Sequence, residues 1–225
     1  MMRVSAARAG SQVGTTFHER RVGSIEVITG SMFSGKTEEL IRRLKRALLA
    51  RQRVQAFKPR VDDRYDAHRI VSHEAISVDA IAVSTSESLE QRINEDTDVV
   101  AIDEAQFFDR GIVEVCERLA NRGVRVIAAG LDQDYLGRPF PPMPDLMAIA
   151  EDVTKVHAVC TACGARASRS QRLIPEATTV LVGGADTYEA RCRSCFVARE
   201  VARTATSDMP GPAPAPPSAA REPQG

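Results

Sequence analysis

Gly30-Ser31-Met32-Phe33-Ser34-Gly35-Lys36-Thr37 fits G-x-x-x-x-G-K-[ST], the spacing of a phosphate-binding P-loop. The two glycines let the backbone curl so that successive N–H groups point at phosphate oxygens. Lys36 brings charge to the outer phosphates, and the Thr37 hydroxyl can ligate Mg²⁺. Farther along, Asp103 and Glu104 directly follow the apolar run Val99-Val100-Ala101-Ile102. An acid at the end of a buried strand is how a P-loop protein supplies its second Mg²⁺ group. The neighbouring Glu104 can serve as base for the oxygen that attacks a γ-phosphate. Phosphoryl transfer is largely dissociative, so positioning and charge neutralisation carry most of the rate, and the base mainly orients the acceptor and takes its proton.

A third constellation is Cys160-x-x-Cys163 and Cys192-x-x-Cys195, two pairs separated by 28 residues. Four thiolates close a tetrahedral shell with no vacant position, so a zinc ion held there is structural rather than catalytic. Disulfides or a redox pair are the alternatives, and a chain built around a triphosphate site without a signal peptide disfavours both. A unit of about 40 residues buries too little apolar surface to fold unaided, and a Cys₄ zinc can contribute about 10–16 kcal/mol. The fifth cysteine, Cys116, falls on the apolar face of a helical pattern and reads as core.

The elements that must position these groups are legible as alternating strand and helix patterns. Residues 24–29 read as a buried strand, Leu40, Ile41, Leu44 and Leu48 recur at helical spacing over 36–50, and Val54 to Phe57 is again strand-like. After the strand at 99–102, Ile112, Val113, Cys116, Leu119 and Ala120 mark a helix. Gly123 suits its stop before a strand at 124–129, and a shorter helix follows from Pro144 to Ala150. This βαβ order predicts an α/β P-loop domain with a mainly parallel sheet, whose strand ends bring the loop and Asp103 to one site.

With 225 residues and 43% hydrophobic composition, the chain has material for one full core plus a smaller unit. The expected division is 23–152 for the P-loop domain and 153–203 for the metal unit. Residues 1–22 carry arginines but no apolar h-region, and 204–225 hold half of the twelve prolines interleaved with alanine; both read as disordered extensions. Thirty basic and thirty acidic residues cancel, which counts against nucleic-acid or membrane-surface binding. No apolar run approaches the roughly 20 residues of a membrane-spanning helix. A cytoplasmic location is the expectation.

Taken together, the P-loop, Asp62-x-Arg64-Tyr65, DEAQFF from Asp103 to Phe108, GLDQDYLGRPF from Gly130 to Phe140, and VGGADTYEARCRSC from Val182 to Cys195 resemble the type II thymidine kinases. The resemblance spans about residues 23 to 200. It implies a RecA-like α/β domain plus a small zinc domain whose lasso covers the nucleoside, a homotetramer, ATP as donor, thymidine as acceptor, and Mg²⁺ with a structural Zn²⁺. Carried over by residue, it puts ATP phosphates and Mg²⁺ on Gly30, Ser31, Met32, Phe33, Ser34, Gly35, Lys36 and Thr37, with Asp62, Arg64, Asp103 and Gln106. Glu104 becomes the catalytic base. Met32, Leu131, Tyr135, Phe140 and Ser170 match positions around thymine, the backbone of Thr179, Val180, Leu181, Val182 and Gly183 matches the segment that reads the base edge, and Tyr188 matches the lasso tyrosine. For Leu131 and Phe140, ordinary core packing is the competing reading. Ser31 stands where proline is expected and Tyr135 where phenylalanine is usual; neither removes a required group.

A different class fits the same P-loop and cysteines: a nucleic-acid-dependent ATPase with a zinc ribbon. Such a ribbon needs a basic face interleaved with aromatics, whereas this chain has zero formal net charge, no Trp and 4% aromatics. Transfer of the γ-phosphate of ATP to the 5′-hydroxyl of thymidine is therefore the leading expectation.

Overall fold

The apolar strand β1 (Ser24–Thr29) feeds directly into the phosphate loop and then helix α1 (Lys36–Leu49). The structure, a computed structural model, describes residues 23–60, 69–71, 77–174 and 186–198. In chain order the next elements are β2 (Val54–Pro59), β3 (Arg69–Val71), β4 (Ser77–Asp79), β5 (Ile81–Val83), α2 (Ser86–Glu90) and β6 (Val99–Ile102). After β6 come a 3₁₀ turn (Ala105–Phe107), α3 (Ile112–Asn121), β7 (Arg125–Gly130), α4 (Met143–Ile149) and β8 (Asp152–Lys155). Four short strands follow: β9 (Ala158–Val159), β10 (Arg166–Ala167), β11 (Arg169–Arg172) and β12 (Tyr188–Arg191).

Six strands form one sheet in the order β5-β2-β6-β7-β1-β8. Every pairing in it is parallel, as β-to-helix-to-β connections require. Alternate residues of the central strands serve opposite faces. Val99 and Ala101 of β6 and Ile127 and Ala129 of β7 pack with Leu40, Ile41 and Leu44 of α1. Val100, Ile102, Val126 and Ala128 pack with Ile112, Val115, Cys116 and Leu119 of α3 and with Met143 and Leu146 of α4. Continuous apolar runs are the signature of strands covered on both faces. Cys116 is fully enclosed here, and its burial, with the charge of Glu117, pushes the thiol up to about 12.

α1 ends differently from its sequence pattern. Leu40, Ile41, Leu44 and Ala47 are buried, but Leu48, in the last turn, is 51% exposed. Two sheet strands carried no clear sequence signal. β5 is three residues long, and β8, at the opposite edge, reads Asp-Val-Thr-Lys with three of its four residues exposed. β8 pairs with β1 from Glu26 to Thr29, so the main sheet runs through Lys155.

That edge is tied down by charge. Glu26 accepts from Arg125 Nε at 2.5 Å and from Arg43 Nη1 at 2.6 Å, and Arg43 Nη2 reaches Thr154 Oγ1 at 2.9 Å, joining β1, α1, β7 and β8. Burial alone would raise the Glu26 carboxyl; the hydrogen bonds and charges of Arg125 and Arg43 outweigh it and hold it below its usual value.

Beyond β8, β9 pairs antiparallel with β10, and β11 with β12. Their shared core is Ala158, Cys160, Ala167, Ala190 and Cys192, with Cys195 against it. The segment expected to form a lasso between β11 and β12 lies largely outside the described residues.

Candidate active site

The phosphate loop owes its shape to its glycines. Gly30 has φ +150° and an added Cβ would stand 2.3 Å from the Val156 carbonyl oxygen, while Gly35, at φ +84°, opens α1. Phe33 also takes a left-handed φ of 61°. Ser34 Oγ donates to the Ser31 carbonyl at 2.7 Å, and Lys36 Nζ reaches the same oxygen at 2.8 Å. Ser31 Oγ is buried without a hydrogen-bond partner among the described residues. Burial pushes the Lys36 ammonium below its ordinary value, and the nearby Glu104, Asp103 and Asp132 offset this only in part. An enclosed cation at a helix N-terminus, ringed by left-handed backbone, is an anion site.

β6 brings Asp103 to the same end of the sheet. Its amide donates to the Phe57 carbonyl at 2.9 Å, and its carboxylate, 8% exposed, accepts from Thr37 Oγ1 at 3.5 Å. Burial and the adjacent Glu104 charge raise the Asp103 carboxyl to about 7. A hard divalent cation between the Thr37 and Asp103 oxygens fits this donor set and relieves that repulsion. Glu104 is held in the left-handed region at φ 50°; its amide donates to Asp103 Oδ1 at 3.0 Å and its carboxylate accepts from Gln106 Nε2 at 2.5 Å.

Leu131 continues β7 into a loop that folds back on itself, with Phe140 N–H donating to the Asp132 carbonyl at 3.0 Å and Gln133 bridging to Pro139. The Phe140 ring meets Phe107 edge-on at 6.1 Å. Met32 N–H donates to Ser170 Oγ at 3.0 Å, which joins the phosphate loop to β11. Tyr188 lies on β12 opposite Arg172 and is buried. Of the expected base-pocket residues, Met32 meets Ser170, Leu131 is held by Gln106 beside Glu104, Phe140 meets Phe107, and Tyr135 and Tyr188 both meet Arg172. Asp62, Arg64 and Thr179, Val180, Leu181, Val182 and Gly183 lie outside the described residues.

Three groups were missed by sequence reasoning. Arg172, 5% exposed, sets its guanidinium 3.6 Å from the Tyr135 ring centre and donates to Tyr188 Oη at 2.8 Å. Strand alternation from Ser170 was the available signal, since residues two apart share a face. Arg169 donates to Gln133 Oε1 at 2.7 Å and to the Gly137 carbonyl at 3.1 Å while stacking on Phe196, fastening the 131–140 loop to the cysteine unit. Lys155 pairs with the buried Asp132 carboxylate across the end of β1. No local pattern announces either of these last contacts.

All four sulfurs of Cys160, Cys163, Cys192 and Cys195 lie within 4.8 Å of one another. A tetrahedral zinc with bonds of about 2.3 Å needs sulfurs about 3.8 Å apart, so this cage matches a metal such as zinc with little adjustment. Backbone N–H donors from Cys192, Ala162 and Cys163 favour the Cys160 thiolate, near 6, while the neighbouring sulfurs push Cys195 up to about 12. Four thiols so close cannot all ionise without a cation between them.

A parallel sheet whose strand ends converge a phosphate loop and an acid pair defines a P-loop α/β phosphotransferase. The family model for thymidine kinase matches residues 23–196. Similar proteins include the thymidine kinase of Rhodothermus sp. (strain ITI 518), 56% identical over 198 residues, covering 88% of this chain and 92% of that protein. The thymidine kinase of Bacteroides thetaiotaomicron is 54% identical over 178 residues, with 79% and 89% covered. That of Bacteroides fragilis (strain ATCC 25285) is 55% identical over 177 residues, with 79% and 88% covered. The chain belongs to the thymidine kinase family, and it is a nucleoside kinase.

Proposed function

We propose that this protein transfers the γ-phosphate of ATP to the 5′-hydroxyl of thymidine, giving dTMP and ADP. Glu104 orients the hydroxyl and accepts its proton as the 5′-oxygen bonds to the γ-phosphorus and the bond to the β,γ-bridging oxygen breaks. Lys36 and the loop amides from Gly30 to Thr37 meet the phosphate charge, with Asp62 and Arg64 as further donor-side residues, while Gln106 stands beside Glu104 at the metal end of the site. Thr37 and Asp103 are the groups that would hold Mg²⁺, which supplies positive charge to the phosphate oxygens when bound. Met32, Leu131, Tyr135, Phe140, Ser170 and Tyr188 surround the base, and the backbone of 179–183 reads its polar edge.

The observation that carries this reading is the Met32 N–H to Ser170 Oγ bond, 3.0 Å, because it seats the cysteine unit against the phosphate loop and leaves the acceptor region bounded by both. Zinc on Cys160, Cys163, Cys192 and Cys195 is structural. A homotetramer working in the cytoplasm, each chain divided after β8 into kinase and zinc units, completes the proposal. ADP production measured with thymidine, with single-stranded DNA and with neither is the test. Stimulation by thymidine alone is expected; stimulation by DNA alone would favour the zinc-ribbon ATPase.

A further inference from the structure

The 3₁₀ turn Ala105–Phe107 turns the Gln106 side chain inward, where it is 3% exposed, and both ends of its amide are engaged. Nε2 donates to Glu104 Oε2 at 2.5 Å, and Oε1 accepts from Leu131 N–H at 2.9 Å. Room for the amide comes from Gly130, where an added Cβ would stand 2.7 Å from Gln106 Oε1 and 2.6 Å from Met143 Sδ. At φ 50°, Glu104 occupies a conformation that a non-glycine residue keeps only when its surroundings over-determine it.

We propose that Gln106 is a positioning residue: its amide spans from the Glu104 carboxylate to the Leu131 backbone and fixes the base relative to the loop that frames the acceptor. It acts through Glu104 and not by touching the nucleotide. The inference rests on the reading of Glu104 as base and of the 131–140 loop as the acceptor's frame. The chemistry requires an amide, with a donor at one end for a carboxylate and an acceptor at the other for a peptide N–H. Leucine of similar size offers neither, and glutamate would set two carboxylates against each other. By holding Oε2, Gln106 commits the other oxygen of Glu104 to the acceptor hydroxyl. Because its far end is the residue that opens the 131–140 loop, a shift of that loop reaches the base through a single side chain.

The test compares Gln106→Leu, Glu104→Gln and the double variant by steady-state kinetics, with equilibrium binding of a fluorescent ATP analogue and thermal melting alongside. For Gln106→Leu, kcat should fall about tenfold to a hundredfold, the loss expected from an ångström-scale misplacement, while analogue affinity stays within about twofold. In the Glu104→Gln background the same change should lower kcat by less than about threefold, since residues acting as a unit are not additive. Gly130→Ala crowds the amide without removing it and should give a smaller kcat loss, which keeps the test open if Gln106→Leu fails to fold. Loss of analogue affinity in step with kcat would overturn the inference by making Gln106 a nucleotide ligand, and so would full additivity of the two single losses. Wild-type turnover by Glu104→Gln alone would remove the base assignment and this inference with it, a failure recognisable without any change at 106.

Discussion

Removing the metal from the cysteine unit should melt that unit and spare the sheet. Among the described residues its buried core consists of Ala158, Ala167 and Ala190 with Cys160 and Cys192, so its alanines bring three methyl groups. At about 0.8 kcal/mol per buried carbon, these contribute about 2–3 kcal/mol. Each ordered residue costs about 1–2 kcal/mol of backbone entropy, so β9 to β12 cannot stand on that burial, whereas a structural zinc contributes about 10–16 kcal/mol. Loss of the metal therefore frees β11 and β12, which carry Ser170, Arg172 and Tyr188. The assay is stepwise displacement of zinc with a thiol reagent, following released metal, hydrogen exchange and kinase activity together. One zinc per chain should leave as activity is lost, with exchange rising over 158–172 and 188–198 and unchanged in β1, β6 and β7. The binding of a fluorescent ATP analogue should persist, since the phosphate loop stands on β1 and α1. A zinc-free protein with four titratable thiols, intact protection in β11 and β12 and full activity would refute the reasoning.

Lys36→Met should lower turnover by at least about a hundredfold while the melting temperature holds or rises, because the lysine is a buried cation rather than a packing group; kinetics and calorimetry on one preparation check both. Glu104→Gln should keep ATP binding and lower the single-turnover rate by about 10²- to 10⁴-fold, measured by rapid quench. Glu26→Gln should destabilise the protein at pH 7 by about 1 kcal/mol once solvent screening is allowed for. The folded Glu26 carboxyl titrates below its unfolded value, so this contribution is present above the unfolded pKa and disappears as pH falls through the folded one. Denaturant midpoints of wild type and variant should converge in acid. Among pyrimidine nucleosides, kcat/KM should fall from thymidine to deoxyuridine by about tenfold or more for one methyl, and far more for deoxycytidine, whose amine presents a donor to backbone N–H groups. Tyr188→Ala should narrow those ratios; equal rates for thymidine and deoxycytidine in the wild type would show that the base is not read this way.

The legible part of the fold was the part whose chemistry is local. β1, β6 and β7 are apolar on both faces, and α1 and α3 carry their buried residues at helical spacing, so composition and period suffice. β8 hid because an edge strand of Asp-Val-Thr-Lys resembles a loop, and β5 because three residues show no period. Leu48 matched the period of α1 yet is half exposed at the helix's last turn, which period cannot reveal. In the site, Lys36, Asp103 and Glu104 announce themselves because phosphate chemistry dictates their spacing, and the four cysteines because a metal does. Arg169 grips Gly137 and Arg172 covers Tyr135 across separations of 32 and 37 residues (169 − 137; 172 − 135), contacts fixed by the docking of two units and by no motif.

The central claim is that phosphate moves from ATP to the nucleoside's 5′-oxygen. Incubating the purified protein with Mg²⁺, ATP labelled at the γ-phosphate and thymidine, then resolving the products by chromatography and mass spectrometry, tests it most directly. The account predicts label on the 5′-oxygen of thymidine in equal amount to the ADP formed, and none without thymidine. Label released as inorganic phosphate, with thymidine recovered unchanged, would contradict it.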